Sequence, residues 1–199
     1  MVHRLSCRCA RVKGLVLHAD RCLNRSVCYC LDCQSYAHFL DKQGDMLDAD
    51  GGTGIVAARP RDVVITQGHE MVSCMSLSDS GLLRWYARCC NTALGNTHRN
   101  YKVSFVALVD ACLQGTPLVL EESFGPVQFR LNAKSARRPL APMTERKLGA
   151  VWRTIGWLLK SQLGGRFRNN PFFDSRTGAP VSLPKVLMVA EREELRKTF

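Results

Sequence analysis

The most informative stretch of the sequence is Cys28-Tyr29-Cys30-Leu31-Asp32-Cys33-Gln34, which places three thiols within one short turn. A second close pair, Cys7 and Cys9, lies upstream, and a vicinal pair, Cys89 and Cys90, lies downstream. Thiolates are soft ligands that favour zinc, and a turn of this spacing can contribute several of them to one ion. The pattern therefore predicts a metal-binding protein in which remote pairs fold back onto a cysteine-rich turn.

The composition is that of an ordinary globular chain, with 199 residues, 46% of them hydrophobic and 23% charged. No apolar run reaches the roughly 18 residues that a membrane helix needs. The segment from Met1 to Arg11 has no apolar stretch of the kind that marks a secretory signal. We therefore expect a cytoplasmic protein that does not associate with a membrane. In that compartment its ten cysteines would be metal ligands, catalytic groups or buried side chains rather than disulfides.

The net charge suggests that the protein has an anionic partner. The formal value of +11 is typical of proteins that bind nucleic acid or acidic proteins. Seven zinc-bound thiolates on two zinc ions would reduce this charge to about +8. The basic excess also lies late, between Arg130 and Arg168, away from the cysteines. Nucleic-acid binding is therefore the less favoured interpretation and remains open as an alternative.

Hydrophobic patterning predicts a mainly β fold with a helix near the C-terminus. A short helix over 32–40 follows the cysteine turn, a loop covers 44–54, and residues 102–113 fit either a buried strand or a helix. Tail residues Phe172, Phe173 and Leu187 are expected to be buried against the body. Extended segments are predicted over 10–18, 25–29, 55–58, 63–67, 71–77, 82–87, 118–121 and 127–131.

The clearest predicted helix spans residues 144–163, where apolar side chains recur at helical spacing. Thr144 can cap its start and Gly164 can end it. A second stripe on this helix consists of Arg146, Arg153 and Lys160. This basic stripe is either a solvated face or a docking surface for a second subunit or an anionic partner.

Cys7, Cys9, Cys89 and Cys90 supply up to four sulfurs, which is enough for a closed structural zinc site. Successive side chains of an extended chain diverge, so adjacent cysteines ligate one metal with difficulty. One of Cys89 and Cys90 is therefore either free or part of the other site.

Cys28, Cys30 and Cys33 supply three sulfurs. Three protein ligands plus an open position are the arrangement of a catalytic zinc, which can activate water, bind a substrate thiolate or polarise a carbonyl. Burial as apolar side chains is the alternative for every cysteine of the chain. It is the favoured interpretation for those without a neighbour in sequence, namely Cys22, Cys74 and Cys112.

Three segments, 6–9, 27–34 and 84–94, together carry a resemblance to a known family. An early CxC, a CxCxxC followed by Gln and a short aromatic helix, and a strand leading into Cys-Asn-Thr-Ala-Leu resemble the glutathione-dependent formaldehyde-activating enzyme (Gfa) and centromere protein V superfamily. The resemblance covers roughly residues 1–110. It is nearest to a bacterial branch with a Cys-Cys-Asn-Thr variant and a C-terminal helical extension.

This resemblance implies a Gfa-like β-tent with two zinc sites and a carbon–sulfur lyase activity on a thiol–aldehyde adduct. By position, Cys7, Cys9 and Cys90 match structural ligands, and Cys28, Cys30 and Cys33 match the catalytic ones. Two residues depart from the family pattern, since Ala87 stands where the family has a cysteine and Tyr29 where it often has a histidine. Cys89 is then the candidate to replace the missing sulfur.

The resulting prediction is a zinc-binding β domain over residues 1–131, with linker, helix and tail over 132–199 packed on the same body. Its substrate would be a small thiol or thiol adduct, and it could form a homo-oligomer. The alternative is a non-catalytic, zinc-stabilised module that binds nucleic acid or an acidic partner through its basic C-terminal part. A third interpretation is a structural zinc fold without activity.

Overall fold

A computed structural model describes residues 1–141, Gly156 and residues 169–197. Except for Gly156, the helix predicted over 144–163 lies outside the described residues, together with its basic stripe. The described chain forms eleven strands and four α-helices, which confirms a mainly β fold with a helix near the C-terminus. The helices are α1 (Leu31–Phe39), α2 (Gln43–Met46), α3 (Pro117–Phe124) and α4 (Val189–Arg196).

The strands form two sheets. The small sheet has the order β1-β2-β5, and the large sheet has the order β10-β3-β4-β9-β8-β7-β6-β11. Pairing is antiparallel except at the two edges of the large sheet, where β10 and β11 run parallel to β3 and β6. The strands are β1 (His3–Ser6), β2 (Lys13–Val16), β3 (Asn24–Cys28), β4 (Thr53–Ala58), β5 (Val63–Gln67), β6 (Val72–Ser76), β7 (Leu83–Ala87), β8 (Thr92–Thr97), β9 (Val106–Val109), β10 (Phe129–Leu131) and β11 (Lys185–Val186).

The large sheet is the middle of three layers, because alternate residues of its strands enter different cores. Trp85 and Leu108 face the small sheet and pack in a core with Leu5 and Ile65. On the opposite face, Val109 packs with Tyr36 and Leu40 of the α1 layer. Arg84 precedes Trp85 in β7, so its side chain lies on the α1 face. This alternation decides which strand residues can reach the cysteine turn at the start of α1.

The prediction of an extended segment over 118–121 is wrong, because these residues belong to α3. Pro117 occupies the first turn, and the Thr116 side chain accepts a hydrogen bond from the Val119 backbone N–H. Both features favour helix initiation and outweigh the strand propensity of the Leu-Val-Leu run. The open assignment over 102–113 resolves to strand β9, which a short 3-10 helix follows over Asp110–Cys112.

Five further elements went unpredicted, namely the strands β1, β8 and β11, the short helix α2 and the tail helix α4. The loop predicted over 44–54 is therefore wrong at its start, where α2 lies, and at its end, where β4 begins. Two aromatic side chains of the tail contact Trp85 of β7. Phe172 stacks on Trp85 at a ring-centroid distance of 4.9 Å, and Phe173 meets the same indole edge-on. Phe172, Phe173 and Leu187 are all buried, which confirms that part of the prediction. Within the described residues, no helix combines the length and the apolarity that crossing a bilayer requires.

Candidate metal centres

The first cysteine group forms where two turns meet. Cys7 and Cys9 lie in the turn that follows β1, and Cys89 and Cys90 lie in the loop between β7 and β8. This loop is short, because Ala87 and Thr92 are already paired across the two strands. We refer to Cys7, Cys9, Cys89 and Cys90 as the quartet. All four thiols are within 4.8 Å of one another.

The sulfur separations in the quartet match the geometry of a four-coordinate metal. The Sγ of Cys89 lies 3.3 Å from that of Cys9, 3.8 Å from that of Cys7 and 3.9 Å from that of Cys90. Four sulfurs placed tetrahedrally at about 2.3 Å from a zinc ion are about 3.8 Å apart. A disulfide would need about 2.0 Å, and all ten cysteines are free. Both members of the vicinal pair belong to this group.

Backbone and hydroxyl groups surround the quartet with donors to sulfur. The backbone N–H of Val12 donates to the Sγ of Cys7 over 3.2 Å, and the hydroxyl of Thr92 lies 3.1 Å from the Sγ of Cys90. Burial raises the pKa of the Cys7 thiol. Burial also acts to raise the pKa of Cys90, but hydrogen bonds from Thr92 and from the Cys9 backbone outweigh it and lower that pKa to about 6. Such contacts orient metal-ligating sulfurs and stabilise their charge.

The second cysteine group, Cys28, Cys30 and Cys33, is built by the junction of β3 with α1, and we refer to it as the trio. Cys28 is the last residue of β3, Cys30 is the N-cap of α1 and Cys33 lies in its first turn. Their three Sγ atoms lie within 4.8 Å of one another. The Cys30 sulfur accepts a hydrogen bond from the Cys33 backbone N–H over 3.4 Å. The positive end of the helix dipole stabilises thiolate charge at this position.

The three thiols of the trio exchange hydrogen bonds, which shift their pKa values in different directions. Hydrogen bonds from Cys30 and Cys33 lower the pKa of Cys28 to about 2, with a further contribution from Asn132. The side-chain amide of Asn132 donates to the Cys28 sulfur over 3.6 Å. The hydrogen bond to Cys28 raises the pKa of Cys30 and that of Cys33, because it favours the protonated form of each donor. A soft cation that replaces those protons would satisfy all three sulfurs.

The trio opens onto a cavity of about 450 Å³ on the α1 face of the large sheet. All three cysteines line this cavity. Its walls come from strands β3, β4, β8, β9 and β10 and from the start of β7, and they are mostly apolar. A metal held by the trio would therefore keep one coordination position directed towards a space large enough for a small molecule.

Arg84 contributes a positive charge to the lining of this cavity and is only 3% exposed. Its guanidinium donates to the side-chain oxygen of Asn96 over 3.2 Å and lies 4.0 Å from the Cys33 sulfur. It also faces the carboxylate of Asp32 at 3.8 Å and covers the ring of Tyr36. A buried guanidinium next to a group of thiols offsets their negative charge.

Sequence reasoning identified every cysteine of both groups but missed Arg84, Asn96 and Asn132. The available signal for Arg84 was a charged residue inside the apolar strand run Leu83 to Trp85. Asn96 and Asn132 carried no local signal, because β8 and the segment after β10 reach the site only through the sheet order. Of the three cysteines expected to be buried, Cys74 and Cys112 are, whereas Cys22 is half-buried and its thiol contacts the backbone oxygen of Phe124.

The model of a family of unknown function, DUF6151, matches residues 1–183, so the chain belongs to that family. No protein of curated function matches the sequence. A solved structure, described as the crystal structure of a Rhodobacter sphaeroides protein, is similar at 18% identity and a TM-score of 0.45. That match covers 63% of this chain and 98% of the Rhodobacter chain.

Proposed function

We propose that this member of the DUF6151 family is a cytoplasmic zinc enzyme of the Gfa type, with a structural ion in the quartet and a catalytic ion in the trio. One observation carries the proposal: all three cysteines of the trio line one cavity. The quartet instead supplies four sulfurs, which is enough to fill every position of a tetrahedral ion. Structural zinc sites have four protein ligands, whereas catalytic zinc sites have three and an open coordination position. The quartet matches the first arrangement and the trio matches the second.

The donor sets support zinc over harder cations. Both groups consist of sulfur alone, and thiolates discriminate against magnesium and calcium, which prefer oxygen. The quartet has tetrahedral spacing, and its sulfurs receive the donors expected of ligands in a structural site. A reducing compartment keeps such thiols available, which is the reason for assigning the protein to the cytoplasm.

The proposed reaction joins a small thiol to an aldehyde, or separates the two. A carbon–sulfur bond forms between the thiol sulfur and the carbonyl carbon, and the thiol proton is transferred to the carbonyl oxygen. The product is a hydroxyalkyl thioether, and no electrons are gained or lost. When bound in the trio, zinc supplies a Lewis acid that favours the thiolate form of a substrate thiol at neutral pH.

The chain itself supplies charge, orientation and a route for the proton. Arg84 is placed to donate a hydrogen bond to an oxygen that becomes negative during the reaction. Asp32 is the carboxylate among the described residues lining the cavity, and it is the group we assign to carry the proton between sulfur and oxygen. Asn132 holds Cys28 in place and so keeps the trio open towards the cavity.

The test is aldehyde-dependent consumption of thiols by the zinc-loaded protein, measured with formaldehyde and larger aldehydes against several thiols. We expect the wild type to exceed the uncatalysed rate and Cys33→Ala to reduce the excess by at least about a hundredfold, because a ligand of the catalytic ion is lost. Cys22→Ser is the control, since Cys22 belongs to neither group. The proposal fails if the wild type matches the uncatalysed rate with every pair while it retains about two zinc ions per chain.

A further inference from the structure

We infer that the cavity beside the trio selects an apolar thiol or aldehyde rather than a glutathione adduct; this inference rests on the proposed function and narrows its substrate class. The cavity of about 450 Å³ is several times larger than formaldehyde requires. A substrate that fills it therefore has a body as well as a reactive end. The walls decide what that body is.

The walls are mostly apolar, and Asn24 and Ser26 of β3, Asn96 of β8 and Asn132 add uncharged polar groups to them. Ile55 and Ala107 form the sheet floor next to the trio, and Phe105 packs against the same group. Phe129 and Leu131 of β10 contribute one side, and Leu82 stands at the mouth. Surfaces of this kind gain free energy when they cover hydrocarbon, at roughly 25 cal/mol for each Å² removed from water. They gain nothing from a peptide backbone or from charged groups, which lose hydration on entering.

The charges of the cavity also favour a neutral, apolar substrate. Three thiolates around a dication leave one net negative charge in the trio. Arg84 is the one cation among the described residues that line the cavity, and its guanidinium already faces Asp32 and the sulfur of Cys33. Glutathione brings two carboxylates, each of which needs a cation or several hydrogen-bond donors. A neutral alkyl or aryl thiol makes no such demand.

The experiment is calorimetric titration of the zinc-loaded protein with two sets of thiols. Ethanethiol, 1-propanethiol and 1-butanethiol differ in apolar length, and 3-mercaptopropionate and glutathione carry carboxylates. We expect the dissociation constant to fall about fourfold for each added methylene, as burial of a CH₂ group predicts. We expect 1-butanethiol to bind at least about tenfold more tightly than 3-mercaptopropionate or glutathione, with a negative heat-capacity change.

A matched pair of variants locates the effect in the cavity. Leu82 at the mouth is 44% exposed, and Leu118 on α3, remote from the cavity, is 73% exposed, so both tolerate a polar replacement. Leu82→Asn should weaken 1-butanethiol about fivefold and leave 3-mercaptopropionate unchanged, whereas Leu118→Asn should change neither.

Different outcomes would contradict the apolar selectivity and the proposed function. Equal or tighter binding of glutathione than of 1-butanethiol would overturn the apolar selectivity and leave the lyase proposal standing. No heat of binding with any thiol, from protein that retains its zinc, would overturn the open thiol site and with it the proposed function.

Discussion

At the scale of single residues, the vicinal pair Cys89–Cys90 shows how a backbone conformation can override a rule about side chains. In an extended strand, successive side chains point to opposite sides, which predicts that only one of these thiols reaches a given metal. The pair instead occupies a hairpin loop, and Asn91 closes this loop with a φ of 54° in the left-handed region. Asparagine adopts that region more readily than most residues. The loop thereby delivers both sulfurs to the quartet.

This geometry predicts that Cys89 and Cys90 are both required for the structural ion. We expect Cys89→Ser and Cys90→Ser each to reduce zinc from about two ions per chain to about one. Each should also lower the free energy of unfolding by roughly 3 kcal/mol or more, since structural zinc contributes about 10–16 kcal/mol in small zinc-dependent folds. Elemental analysis and urea denaturation measure the two effects.

Cys22→Ser serves as the matched control, because Cys22 lies outside both cysteine groups. It should keep both ions and should change the free energy of unfolding by less than about 1 kcal/mol. If Cys89→Ser or Cys90→Ser retained two ions, the altered residue would be a spectator and the quartet would need another ligand.

At the scale of elements, local pattern located most strands but misread the segment that begins α3. Alternating or continuous apolar runs predicted β4, β5, β6 and β7 close to their observed bounds. Leu118-Val119-Leu120 has the same appearance, yet Thr116 and Pro117 precede it and set helical geometry at the first turn. β8 went unpredicted because Thr92-Ala93-Leu94-Gly95-Asn96-Thr97 has little strand propensity and is strand only through pairing with both neighbours.

The cap of α3 is therefore a determinant of that helix. Thr116 is exposed, and its hydroxyl accepts from the Val119 N–H over 3.4 Å. Thr116→Ala should lower the free energy of unfolding by about 1 kcal/mol through loss of the cap alone, because little packing is removed. Thr116→Ser keeps a hydroxyl and should remain within about 0.5 kcal/mol of the wild type. Equal losses in the two variants, measured by urea denaturation, would contradict a capping role.

At the scale of the whole molecule, the sites depend on the order of strands in the large sheet, which no local pattern contains. Cys28 on β3 and Arg84 on β7 are separated in the sheet by β4, β9 and β8, and they meet because their side chains share the α1 face. The sequence could predict the trio from its local spacing, whereas the two pairs of the quartet lie about 80 residues apart and are matched to one site by the family resemblance. The cavity, its apolar walls and its cation follow from pairings between segments far apart in the chain.

The packing of residues 132–199 on the same body as residues 1–131 remains a prediction, and substitutions in the tail can test it. Phe172 is fully buried and stacks on Trp85, whose backbone oxygen accepts the hydroxyl of Tyr36 from α1. Phe172→Ala should therefore lower the free energy of unfolding by about 3–5 kcal/mol, the cost of removing a buried aromatic ring.

The control is Leu183→Ala in the same tail, where the side chain is 92% exposed and its loss should cost less than about 0.5 kcal/mol. Urea denaturation followed by far-UV circular dichroism and by tryptophan fluorescence provides the measurement. If the tail and the sheets form one cooperative unit, the two probes give coincident transitions that shift together in Phe172→Ala. A Phe172→Ala protein as stable as the wild type, or two separate transitions, would make the tail a unit of its own.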